Sequence, residues 1–132
     1  MLLDCTKCDG RCCKTPINNF NVVLLPQEMK NLKKFSKKLK TRYGGVYILN
    51  KKEDGSCIFL DNMHRCTIYK DRPFECKVFP LVIDYERTFV LSKLCPKIKN
   101  ITKKEICNSI KEWKNKQLST NWIKAYSTIP IN

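Results

Sequence analysis

The stretch Cys66-Thr67-Ile68-Tyr69-Lys70-Asp71-Arg72-Pro73-Phe74-Glu75-Cys76-Lys77-Val78-Phe79-Pro80 has neither the alternation of a strand nor the recurrence of a long helix. It predicts turns and short helices between two cysteines. Pro73 suits the first turn of a short helix and holds Arg72 out of the helical region before it. The chain has 132 residues, 42% of them hydrophobic. One domain of this size buries roughly two-thirds of its unfolded surface, so it can build a core. With only moderate apolar content, it still gains from cross-linking.

On the N-terminal side, residues 46–49 and 57–60 read as two strands joined by a turn at Asp54-Gly55. Residues 20–25 read as a further strand, and Pro26 suits the start of a helix. Met29, Leu32, Phe35, Ser36 and Leu39 follow at helical spacing, with lysines in the other positions and Gly44-Gly45 as the stop. On the C-terminal side, residues 81–84 and 88–91 predict a second hairpin. Thr102-Lys103-Lys104-Glu105 is a capping box. The helix it opens has Ile106, Ile110 and Trp113 as its stripe, while Trp122, Ile123 and Tyr126 dock the tail. The expected fold is a small cysteine-rich α+β domain: short antiparallel hairpins, a Lys-rich helix and a C-terminal helix around a metal centre. No internal repeat is visible.

Nine cysteines is an odd number for a disulfide framework. Cys5, Cys8, Cys12 and Cys13 form a dense first group, and Cys57, Cys66, Cys76 and Cys95 a dispersed second one. A bridge between neighbours such as Cys12 and Cys13 is strained. The N-terminus has no basic region followed by an apolar run, which predicts a cytoplasmic, reducing setting. There, close-spaced cysteines are ligands or redox thiols more often than disulfides. Residues 22–25 and 78–83 are the longest apolar runs, too short for a transmembrane segment. Soft thiolate sulfur points to zinc or to an iron–sulfur cluster.

These residues resemble the CxxCxxxCC cysteine-cluster family (YkgJ type), described as a zinc- or iron-chelating domain. The resemblance rests on Cys5 to Cys13 (C-T-K-C-D-G-R-C-C), on C-I-F-L at residues 57–60, on the block quoted above, and on Cys95-Pro96. It implies one domain over residues 1–132, with a family-like core at 5–96 and a C-terminal helical extension at 97–132. It also implies metal ligation by Cys5, Cys8, Cys12, Cys13, Cys57, Cys66, Cys76 and Cys95, and chelation more firmly than any reaction. A related domain occurs in flagellin lysine methylases. With four glycines and no Gly-rich loop after a strand, this chain is not expected to be an enzyme on its own.

Spacing bears on the choice of metal. One zinc ion wants four ligands at tetrahedral corners, which adjacent Cys12 and Cys13 reach together only with difficulty. Two interleaved zinc sites remain open. A 4Fe-4S cluster spreads its ligands over separate irons, so neighbours can both bind. The leading expectation is an iron–sulfur accessory or redox protein with an unidentified protein partner. The alternative is a zinc-stabilised basic module that binds nucleic acid or another acidic partner.

Around this set, Arg72 and Tyr69 are candidates to donate hydrogen bonds to a bound cofactor and so tune it. For each there is a plain local role, in the turn for Arg72 and in the core for Tyr69. His64 reads as a solvent-facing turn residue, and Cys107, beside the Ile106/Ile110 stripe, as a core thiol. The formal charge is +14, which permits an acidic partner without selecting one. The lysine run at residues 30–40 reads as a solvated helix face, since no aromatic residues interleave with it for base stacking.

Overall fold

The computed structural model of the protein describes residues 21–83, 87–92 and 98–128. Val22-Val23-Leu24-Leu25 is apolar at every position, and a strand made from it needs cover on both faces. The fold supplies that cover. Strands β1 (Val23–Leu24), β2 (Ser36–Thr41) and β3 (Gly44–Leu49) form an antiparallel sheet in the order β1-β3-β2. Val23 lies opposite Ile48 and Leu24 opposite Tyr47, while Leu39 of β2 faces Val46. Side chains alternate across a strand, so the register sorts them into two clusters. Val23, Val46, Ile48 and Leu39 join the main core. Val22, Leu24 and Leu49 form a second cluster with Tyr47, Phe35, Phe59, Cys57 and Cys76 packed against it.

The Lys-rich segment departs from the expected single helix. Pro26 does open a helical stretch, through a 3-10 turn at Pro26–Glu28, helix α1 (Met29–Leu32) and a second 3-10 turn at Lys33–Phe35. At Ser36 the chain becomes the strand β2. Lysine favours helix over strand as a monomer preference, but that preference is small beside pairing and burial. As a strand, this segment hydrogen-bonds β3 along six residue pairs and tucks Leu39 against the main core. Gly44, at φ +122°, serves the hairpin turn rather than a helix stop.

Helix α2 (Phe74–Val78) follows Pro73, as the sequence predicts. Its first amide is held from a distance: Phe74 N–H donates to Glu28 Oε2 at 2.7 Å, while Glu28 Oε1 accepts from Leu25 N–H at 2.8 Å. One carboxylate thereby ties α2 to the chain leaving β1. The expected second hairpin is present, with β4 (Leu81–Ile83) antiparallel to β5 (Phe89–Leu91).

Helices α3 (Lys103–Asn115) and α4 (Thr120–Ser127) close the main core. Trp113 is buried with its ring edge-on to Phe74 at 4.9 Å, and its Nε1 donates to the Leu81 carbonyl at 3.3 Å. Tyr126 is buried, and Trp122 stacks on it at 5.2 Å. Cys107 is exposed rather than a core thiol. It follows Ile106 directly, and adjacent residues sit about 100° apart around a helix, so a place next to the stripe is a place off it. Among the described residues no helix is long and apolar enough to cross a membrane.

The capping box at α3 forms as read. Thr102 Oγ1 accepts from Glu105 N–H at 3.1 Å, and Glu105 Oε1 accepts from Thr102 N–H at 3.2 Å. Thr102→Ala is expected to lower unfolding stability by about 1 kcal/mol, read as a shift of the urea midpoint at unchanged slope. An unshifted midpoint would mean that the box adds nothing.

Candidate metal centre

Residues 57–60 form a tight turn between two isolated bridges instead of the strand their sequence predicts. Cys57 makes one antiparallel bridge, to Lys51, and Cys66 makes one to Leu60. The two loops are built alike. In the first, Asp54 Oδ1 accepts from Ser56 N–H at 2.9 Å and from its hydroxyl at 2.6 Å. In the second, Asp61 Oδ1 accepts from Met63 N–H at 2.8 Å and Arg65 N–H at 2.9 Å. Two residues before each cysteine the backbone turns left-handed, at Gly55 (φ 84°) and at His64 (φ 61°). After each cysteine the chain turns again: Cys57 C=O accepts from Leu60 N–H at 3.0 Å, and Cys66 C=O from Tyr69 N–H at 3.2 Å. Residues 51–60 and 60–69 are therefore near-copies in backbone form, although no internal repeat is visible in the sequence. The faint signal was the pairing of C-I-F-L with C-T-I-Y, each behind a polar loop containing an aspartate. His64 is exposed in its turn, as expected.

Tight loops of this kind prepay the chain entropy of presenting a ligand. Cys57, Cys66 and Cys76 are each half-buried. Cys57 and Cys76 pack against the same Val22/Leu24/Leu49 cluster, Cys76 from α2 and Cys57 from the first loop. Cys57 and Cys66 are close enough to influence one another's ionisation. Burial pushes the Cys66 thiol up, and the proximity of Cys57 adds to this. The Ile68 backbone amide, hydrogen-bonded to Cys66, and the nearby Arg72 guanidinium pull the other way. The net direction is upward.

Arg72 sits over the Tyr69 ring, its guanidinium carbon 4.0 Å from the centroid, and Nη1 donates to the Tyr69 carbonyl at 2.7 Å. Its Nε is buried with no hydrogen-bond partner among the described residues. A buried charged donor left unmatched is costly, and an anionic acceptor beside Cys66 would match it. Cys5, Cys8, Cys12, Cys13 and Cys95 lie outside the described residues. Among those described, no three Cys, His, Asp or Glu side chains stand together as a set that could hold a metal ion. Cys57 and Cys76 pack on one side of the sheet, and Cys66 lies within electrostatic reach of Cys57.

The fold presents half-buried thiols from two tight loops and from the short helix α2. A family model described as "CxxCxxCC: Putative zinc- or iron-chelating domain" matches residues 4–119, and the chain belongs to that family. The match continues past Cys95 and takes in α3. The family label counts two residues in the second gap, where this chain has three, Asp9, Gly10 and Arg11. No curated protein and no solved structure matches the chain.

Proposed function

We propose that this protein holds an iron–sulfur cluster of the 4Fe-4S type and works as an accessory or redox protein in the cytoplasm. Its ligands would be drawn from Cys5, Cys8, Cys12, Cys13, Cys57, Cys66, Cys76 and Cys95. The observation that carries this reading is the twin loop. Two backbone-equivalent turns present Cys57 and Cys66 in mutual electrostatic reach, with a backbone amide bonded to Cys66. The Ile68 amide and the Arg72 guanidinium oppose the upward push of burial on Cys66 and would be at hand for its sulfur once a metal holds it as thiolate. The orphan Arg72 Nε adds a donor suited to an anionic sulfur environment. A bound cluster would supply one-electron chemistry, and the residues around it would set its potential.

In this reading Arg72 and Tyr69 act as a unit. Tyr69 holds the guanidinium in place through its ring and its carbonyl, within electrostatic reach of Cys66. Arg72→Lys keeps the charge but loses both the flat stacking surface and the Nε donor. It is expected to weaken metal retention 10–100-fold, measured by competition with a chelator. Retention equal to the wild type would remove Arg72 from the site.

The deciding experiment is chemical. The protein is purified without oxygen and assayed for iron, acid-labile sulfide and zinc. Brown protein carrying iron and sulfide supports the proposal. Colourless protein with stoichiometric zinc overturns it in favour of a zinc-stabilised module.

A further inference from the structure

Residues 29–52 contain nine basic residues and no acidic one. Seven of them lie in the β2–β3 hairpin and the helical turns just before it, and Lys51 and Lys52 follow β3. Glu28, the nearest acid before this stretch, is turned inward to the Leu25 and Phe74 amides. Strand β2 ends the sheet, and β3 is its sole partner among the described residues. Lys37, Lys38 and Lys40 along it are exposed.

A strand edge with no partner among the described residues and a dense positive field call for an anionic occupant. The nearby aromatic rings argue about which kind. Lys33 Nζ sits 5.8 Å over the Tyr47 ring and Lys34 Nζ 5.1 Å over the Phe35 ring. Phe35 also meets Phe59 edge-to-face at 5.1 Å. The Tyr47 and Phe35 rings each carry a lysine, and so does the exposed Tyr43 in the hairpin turn, with Lys124 Nζ 5.7 Å over it, whereas single-stranded nucleic acid is held by stacking bases on open rings. The backbone edge suits a peptide. The chain's own first 20 residues carry two acids and three bases, which gives them no charge match to β2.

We propose that the outer edge of β2 (Ser36–Thr41) binds an extended acidic segment of a partner protein, which adds to the sheet as a further strand. Main-chain hydrogen bonds supply the grip. Carboxylates alternating along the segment select this edge through Lys38 and Lys40, which share one face of the strand, with Lys37 adding to the positive field. Lysines on an edge also prevent two copies of this chain from pairing there, and that same repulsion makes an acidic strand the fitting guest.

The test uses the full-length protein with its metal as isolated and a fluorescent peptide of alternating glutamate and valine, followed by anisotropy at low and at physiological salt. A second peptide has the same side chains but is N-methylated at every second residue, which removes the donors of one edge. Binding of the first peptide is expected to weaken with salt, and to weaken at least about tenfold on N-methylation. A protein carrying Lys37→Glu, Lys38→Glu and Lys40→Glu should lose the acidic peptide and gain the lysine–valine counterpart, with metal content unchanged. That gain would show that the altered protein still folds. Equal binding of the N-methylated peptide, tighter binding of oligothymidylate, or no binding at low salt would each overturn the proposal.

Discussion

Cys66→Ser is expected to strip the protein of its metal and to lower its thermal midpoint, while Cys107→Ser does neither. Cys66 sits at the closing point of a loop already shaped by Asp61 and by the left-handed turn at His64. It receives a backbone hydrogen bond from Ile68 and feels both Cys57 and Arg72. A serine hydroxyl is a hard, neutral donor that binds soft metal poorly. Changing groups that merely orient ligands costs 10–100-fold in affinity, so loss of a ligand should exceed about 100-fold. Cys8→Ser is expected to behave alike. The readouts are metal and sulfide content after desalting, and the melting curve. Full metal content in the Cys66→Ser protein would take Cys66 out of the ligand set. Cys107, exposed on α3, supplies the matched control.

The second large effect concerns Glu75, the residue next to Cys76. Its side chain is 2% exposed. Oε1 accepts from Val23 N–H at 2.7 Å, and the carboxyl is hydrogen-bonded to the Tyr126 side chain. Burial pushes this carboxyl from the usual 4.5 up to about 8; the Tyr126 and Val23 bonds oppose the shift, and the charge of Glu28 adds to it. Between those values the folded protein keeps a proton that the unfolded chain has released. Stability is then highest at the acid end of the window and declines as pH rises, by about 1 kcal/mol per pH unit, levelling off above the folded value. Glu75→Gln keeps an oxygen for Val23 N–H and cannot ionise, so its stability should stay flat across the same window. Urea midpoints of both proteins from pH 5 to pH 8 (roughly the span over which such a group titrates) check this. Parallel curves would show that another group sets the pH dependence.

Local signals in the sequence were read correctly where the structure answers them locally. The Thr102/Glu105 box needs only four consecutive residues, and it forms as written. Pro73 starts α2 for the same reason. The Lys-rich segment misled because its apolar residues fit two periods. Phe35 and Leu39 satisfy a helix, yet Leu39 also alternates with exposed Lys38 and Lys40, and β3 decides between them from outside the segment. The twin cysteine loops were hidden because their likeness lies in dihedral angles. Gly55 and His64 share a left-handed turn but no chemistry. Gathering Cys57 and Cys76 on one face depended on the odd–even register of β1, which a four-residue apolar run leaves open. The role of Glu75 depends on a tyrosine far along the chain.

That odd–even register has a mechanical meaning. β1 is a partition with a different tenant behind each wall: Val23 belongs to the tryptophan side and Leu24 to the sulfur side. Sliding the strand by one position would send each into the other's room, because neighbouring side chains face opposite ways. The two compartments cannot be rearranged separately, so whatever tightens the sulfur side also pins the helices beyond the wall.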